Sequence, residues 1–266
     1  MKFAIWLPLF DELSDPVEVA RLAATAEEAG WDGFFLWDQL WWRAPIREVS
    51  DPWITMSAMA TATEQLRIGP MVSPIARRRP TKLLRETTTL DRLSGGRLIL
   101  GVGLGSDRFA QEYSKTGEEI DDRIRAERMD ETLEILTAGW TGEPVRHHGK
   151  HFLVDDVQFL PRPVAGRVPV WLAGFPGNAK PVRRAARYDG FFPVNLTSPE
   201  QVAAPAAVLR ELRGDLDDYD IAVALEPDVD PRPYADAGAT WWLMDVDPVT
   251  LQLADVRALI AAGPPK

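Results

Sequence analysis

Cysteine is absent from the chain. That excludes disulfides, Cys-ligated zinc, iron–sulfur clusters and a thiol nucleophile, so redox chemistry here requires a bound organic cofactor. Histidine is nearly as scarce. All three, His147, His148 and His151, fall in one short stretch, which leaves none for a Ser-His-Asp triad elsewhere. No apolar run approaches the roughly 20 residues needed to cross a bilayer, and the opening MKFAIWLPLFDELSD turns acidic after a few apolar residues, so a soluble cytoplasmic protein is expected. Cations are outnumbered, 30 Lys and Arg against 40 Asp and Glu. With a formal net charge of −10 the electrostatic term that dominates binding to nucleic acid or an anionic membrane is repulsive, and neither partner is expected. The chain has no internal repeat or low-complexity segment.

What it does have is 45% hydrophobic content over 266 residues, enough for a large core. One α/β barrel over 1–266 is a more economical reading than two small domains. Short apolar strand signals stand at 3–7, 33–37, 67–72, 98–101, 170–173, 190–194, 221–225 and 240–244. Helix signals separate them: Asp15-Pro16-Val17-Glu18 opening a helix to Gly30, Asp51-Pro52 opening one to about 63, then 80–93, 120–138 and 178–188. A helix capped by 198–201, a short one at 231–237 and a closing one at 248–262 complete the series. Strands too apolar to be half-exposed, alternating with helices eight times, predict a (β/α)8 TIM barrel whose site lies at the strand C-terminal ends. Residues 145–154 alternate around a glycine and predict a hairpin inserted between barrel units.

The residues just past each strand are therefore the candidate site: Asp38 and Gln39, 73–79, 103–107, 174–178, Asn195, Glu226 and Asp245. Among these carboxylates Asp38, then Glu226 and Asp107, are candidate catalytic groups, each otherwise a cap or a solvated loop residue. The stretch TLDRLSGGRLILGVGLG at 89–105 joins a helix, a glycine stop and a buried strand to Gly101, Gly103 and Gly105, where low side-chain bulk suits a flat ligand, or else a barrel bend or close packing. Ala173, Gly174, Gly177 and Asn178 lead from a strand into a helix start and suit a phosphate, or else form a plain tight turn. Arg77, Arg78 and Arg79 suit an anionic ligand, or else a solvated loop. The three histidines alternate faces with no carboxylate before Asp155, which predicts a solvated hairpin and no metal site. Of ten tryptophans, Trp37, Trp41, Trp42 and Trp242 fall near strand ends and are candidates to wall an aromatic pocket.

Several longer stretches resemble the bacterial-luciferase-like family of flavin- and deazaflavin-dependent oxidoreductases. They are ARRRPTKLLRETTTLDRLSGGRLILGVGLG at 76–105, RAERMDETLEILTAGWTGEPVRHHGKHF at 125–152, FLPRPVAGRVPVWLAG at 159–174 and RAARYDGFFP at 184–193. The resemblance implies a TIM-type barrel that binds reduced FMN or the deazaflavin coenzyme F(420) and acts on a small-molecule substrate, commonly as a homodimer. By position it implies Asp38 beside the ring, and Met71, Val72 and Ser73 backing one ring face with a non-prolyl cis peptide between 70 and 73. It further implies Gly101, Gly103 and Gly105 under the ring or side chain, and Ala173, Gly174, Gly177 and Asn178 at the phosphate. Where many deazaflavin members carry His after the Asp and an acid after the glycines, this chain has Gln39 and Ser106, a departure from the sugar-phosphate dehydrogenase type. A protein that binds flavin or deazaflavin without turnover is the alternative. A cofactor-free barrel hydrolase, with no coloured ligand, is a third reading.

Overall fold

The computed structural model describes residues 1–250 and 252–265. Its strands in chain order are β1 (Lys2–Leu7), β2 (Gly33–Leu36), β3 (Arg67–Pro70), β4 (Ser73–Pro74), β5 (Leu100–Gly103), β6 (Pro144–His148), β7 (Leu153–Gln158), β8 (Val170–Gly174), β9 (Gly190–Pro193), β10 (Asp220–Leu225) and β11 (Trp241–Met244). Its helices are α1 (Pro16–Glu28), α2 (Pro52–Ala62), α3 (Pro80–Leu93), α4 (Glu112–Thr116), α5 (Asp122–Trp140), α6 (Ala179–Ala185), α7 (Glu200–Arg213), α8 (Arg232–Asp236) and α9 (Leu253–Ala261).

All strands but β6 and β7 form one parallel sheet in the order β3-β2-β1-β11-β10-β9-β8-β5-β4. The ring closes because β3 and β4 are two halves of one barrel strand, interrupted at Met71 and Val72, whose peptide is cis as expected. The first half exchanges hydrogen bonds with the approach to β5 (Ile99 N–H to Ile68 O, 2.9 Å), and the second half pairs with β5 itself. Nine hydrogen-bonded segments thus occupy eight barrel positions, and the TIM-type expectation holds. The antiparallel pair β6 and β7 is the inserted hairpin.

Alternation along each strand sends one set of side chains outward against the helices and the other inward. Inside, Phe35, Trp171 and Trp241 meet edge-on or tilted, with ring centroids 5.4–5.9 Å apart, and plug the barrel together with Ile99, Phe192 and Leu243. Above the plug, toward the strand C-terminal ends, lie the partly buried Trp6, Val72, Ala173, Val194 and Ala224. These form the floor of the mouth.

Several sequence boundaries shift. Strand 98–101 forms two residues later, so Gly103 belongs to the strand and not to the loop after it. Helix 178–188 is only Ala179–Ala185, because its last residues close into tight turns such as Tyr188 N–H to Ala185 O. Ser198 lies outside the cap of α7, which is Pro199. Glu18 does not complete a capping box: Asp15 accepts from Val17 N–H, and Glu18 reaches across to Arg257 of α9. The closing helix begins at Leu253 instead of Pro248, and Leu251, within that expected span, is outside the described residues, as is Lys266 at the end of the expected domain. Among the described residues no helix is long and apolar enough to cross a membrane.

Candidate active site

Asp38, one residue past Trp37 at the end of β2, is 2% exposed and is surrounded by donors. Arg78 Nη2 lies 3.0 and 2.8 Å from its two oxygens and Arg77 Nη2 lies 3.0 Å from Oδ1. The Ser73 hydroxyl and, at 3.3 Å, the Trp53 indole N–H also donate to Oδ2. Burial works to raise the Asp38 pKa, but the two guanidiniums and the hydroxyl outweigh it and hold the carboxyl below the usual aspartate range. The arginine run is therefore neither a solvated loop nor a free anion trap at Arg77 and Arg78. It neutralises the barrel's own buried carboxylate.

Arg77 continues to a second carboxylate, Glu112 of α4, which also accepts the Leu40 N–H at 2.6 Å. Glu112 shares one guanidinium where Asp38 has two, so for Glu112 burial dominates and its carboxyl is pushed up. The adjoining Tyr113, 1% exposed, stands between Arg77 and Arg125, and burial pushes its phenol up to about 12. One network thus ties the exits of β2, of the split strand β3–β4 and of β5. Sequence reasoning missed Glu112 and Tyr113, since they follow Gly105 in a polar segment without a period or motif.

The glycines fit the second of the two roles expected of them. A Cβ on Gly101 would lie 2.3 Å from Pro70 O and 2.7 Å from Met71 Sδ; on Gly103, 2.4 Å from Val72 Cγ2; on Gly105, 1.7 Å from Tyr113 Oη. Their missing side chains let β5 and its exit loop press against the Met71–Val72 segment and Tyr113, as the close-packing alternative has it. At Gly174 the space is likewise taken, by Pro181 Cβ at 2.5 Å. Gly177, at φ 82°, has nothing within 4 Å and stays open.

Asp107 accepts the N–H groups of Tyr113 (2.9 Å) and Ser114 (3.1 Å), and these hydrogen bonds with Ser114 first hold its carboxyl down. It caps α4. Glu226 is exposed at the exit of β10, and Asp245 is half-buried beside it at the exit of β11. Trp37 and Trp42 do build an aromatic wall, with Phe10 and the unanticipated Trp6; the Trp6–Trp37 centroids are 5.0 Å apart. Trp41 sits under Lys115, and Trp242 faces outward, stacked on Trp31, because it has the opposite strand parity to Trp241. The hairpin is not freely solvated: Glu131 of α5 accepts from the N–H groups of Lys150, His151 and Phe152 and pairs with His147, while His151 pairs with Glu127. Two surface depressions, of about 890 Å³ around Arg92 and 160–166 and about 300 Å³ around Arg210 and Thr240, lie away from this mouth.

A family model described as luciferase-like monooxygenase matches residues 1–235. The chain belongs to that family. Its relatives include an F(420)-dependent glucose-6-phosphate dehydrogenase of Nakamurella multipartita, 31% identical over 192 residues, 69% of this chain and 54% of that protein. One of the same name from Amycolatopsis mediterranei is 33% identical over 182 residues, 66% of this chain and 53% of that protein. The chain spans about half the length of these relatives. Among luciferase-like folds, coenzyme F(420)-dependent tetrahydromethanopterin reductase from Methanopyrus kandleri superposes with a TM-score of 0.78 at 17% identity, covering 98% of this chain and 97% of that one, which speaks to the fold alone.

Proposed function

We propose that this luciferase-like barrel is an oxidoreductase that binds FMN or coenzyme F(420) at its mouth and acts on a small organic substrate. The observation that carries this reading is the floor of Val72, Ala173, Val194 and Ala224: small, apolar and partly buried, at the strand C-terminal ends and flanked by Trp6. A flat ring fits such a floor, and the Trp37 indole N–H, buried without a protein acceptor, is an unspent donor beside it. When bound, the cofactor supplies the two-electron chemistry. Met71, Val72 and Ser73 would back the ring, and Ala173, Gly174, Gly177 and Asn178 would face its phosphate, with Gly177 the open position. Asp38 holds Ser73 and the arginines in place without exchanging a proton, and the aromatic wall excludes water. Glu226 belongs to the same mouth, whereas Asp107 serves α4.

The same reading includes a cytoplasmic homodimer, with exposed apolar side chains such as Ile54 on α2 and Leu153 on the hairpin in support of the dimer. A second reading, binding without turnover, draws support from the locked Asp38 together with Gln39 and Ser106. Titration with FMN and with coenzyme F(420), followed by a panel of small aldehydes, ketones and secondary alcohols, tests both. Binding plus turnover supports the first reading, binding alone the second, and no binding of either cofactor rejects both.

A further inference from the structure

The carboxylates at the strand exits of this mouth meet opposite surroundings. Asp38 is matched by two guanidiniums, whereas among the described residues no Lys or Arg pairs with Asp245 or Glu226. Their direction follows from strand parity. Val223, Leu225, Trp242 and Met244 pack outward against the helices, while Ala222, Trp241 and Leu243 pack inside the barrel with Ala224 against them. Two residues on from Ala224 and Leu243, the same parity carries Glu226 and Asp245 to the inner rim. The register sets them side by side: Leu225 pairs with Met244, and the Asp245 N–H donates to Leu225 O at 2.9 Å. On the other flank β1 pairs Ile5 with Met244, so the next inward side chain there is Trp6 of the aromatic wall. The charged groups facing Asp245 are thus Glu226 from β10 and Asp247 from its own loop, while β1 offers an indole and no charge. Burial, then Glu226, then Asp247 push its carboxyl up to about 6, against the Val246 N–H, which favours the ionised form.

We propose that Asp245, coupled to Glu226, is the group that hands a proton to the substrate at the barrel mouth and takes one back in the reverse direction. This rests on the oxidoreductase reading above. In the reducing direction the substrate's carbonyl carbon accepts a hydride from the reduced flavin or deazaflavin, which is oxidised by two electrons. Its oxygen accepts the Asp245 proton as the acid O–H bond breaks; the substrate becomes the alcohol and Asp245 a carboxylate, which solvent reprotonates. Two carboxyl groups whose surroundings drive them apart, Asp38 kept ionised and Asp245 holding its proton up to about pH 6, are the arrangement by which a single site divides structural charge from acid chemistry.

The test combines carbon-13 NMR titration of labelled Asp in the ligand-free protein with kinetics of the loaded enzyme on the carbonyl panel. Asp245 should titrate near pH 6, Glu226→Gln should move it down toward the ordinary range, and Asp245→Asn should abolish the resonance. In turnover, Asp245→Asn should lower kcat about 10²-fold and erase the fall in rate above pH 6, with cofactor affinity unchanged. Titration of Asp245 in the ordinary carboxylate range overturns the proposal, as does an Asp245→Asn enzyme with full kcat and an intact pH limb. Cofactor binding without turnover of any panel member also overturns it. Failure of both cofactors to bind would instead reject the oxidoreductase reading, and this assignment with it.

Discussion

Arg78 forks onto Asp38: its Nη2 lies 3.0 Å from Oδ1 and 2.8 Å from Oδ2 of a carboxylate that solvent scarcely touches. Arg77 donates to Oδ1 and to the Asp38 carbonyl, and carries the link onward to Glu112. Breaking a buried pair by removing one partner strands the other's charge, at roughly 3–5 kcal/mol. Arg77→Met leaves Glu112 with no cation and Asp38 with Arg78 alone, and should lose that much in denaturant unfolding. Arg78→Met, at a side chain 18% exposed, should lose less, roughly 1–3 kcal/mol. The reverse order would reject this account of the network.

Acid should attack the same network. An unfolded aspartate releases its proton near pH 3.9, and folded Asp38 does so lower, so its contribution is complete above about pH 4 and is lost as pH falls through the folded value. Asp38→Asn should flatten that part of the stability profile. Denaturant midpoints between pH 2 and 6 for both proteins check it, and parallel curves would count against it.

Asp245 works with the opposite sign. Its folded carboxyl keeps a proton to about pH 6, where the unfolded chain has already released it, so stability should fall as pH rises from about 4 to 6 and then level. Screening at its exposed edge reduces the effect to roughly 1–2 kcal/mol. In Asp245→Asn the fall should vanish, leaving a protein more stable than the parent at pH 7; an unchanged fall would place the titrating group elsewhere.

Gly103→Ala and Gly177→Ala should separate packing from backbone freedom. At Gly103 the new methyl meets Val72 2.4 Å away and must displace the segment behind the proposed ring site, costing roughly 1–3 kcal/mol and weakening cofactor binding in fluorescence titration. At Gly177 the methyl meets nothing, and the cost is the roughly 1–2 kcal/mol of a left-handed residue. Equal losses of cofactor affinity would contradict this division. Gly174→Val would not isolate the phosphate, because Pro181 fills the space the valine would need.

Glu131→Ala should release the hairpin without opening the barrel. The carboxylate accepts three hairpin N–H groups and the His147 ring, so its loss should speed hydrogen exchange across 144–158 and lower stability by roughly 1–3 kcal/mol. Exchange spread evenly over the whole chain would indicate global unfolding instead.

The barrel was legible from local physics. Asp15-Pro16 and Asp51-Pro52 start helices because a carboxylate beside a proline satisfies and pre-shapes a first turn, and both aspartates accept the N–H groups expected of them. Runs such as 190–193 read as buried parallel strands because both their faces are covered, and the candidate mouth followed from strand ends alone. What stayed hidden was every decision made by residues distant in the chain. Whether Gly101 leaves room for a ligand depends on Pro70 and Met71; whether Arg77 awaits an anion depends on Asp38 and Glu112, 39 and 35 residues away. Trp242 and Trp241 are the same residue type one step apart, yet one stacks outside and the other plugs the interior, because the register with β1 and β10 sets their parity. Composition and period fix which segments form elements, since those forces act within a few residues. Which carboxylate is silenced by arginines and which keeps its proton is an electrostatic sum over neighbours that only barrel closure brings together.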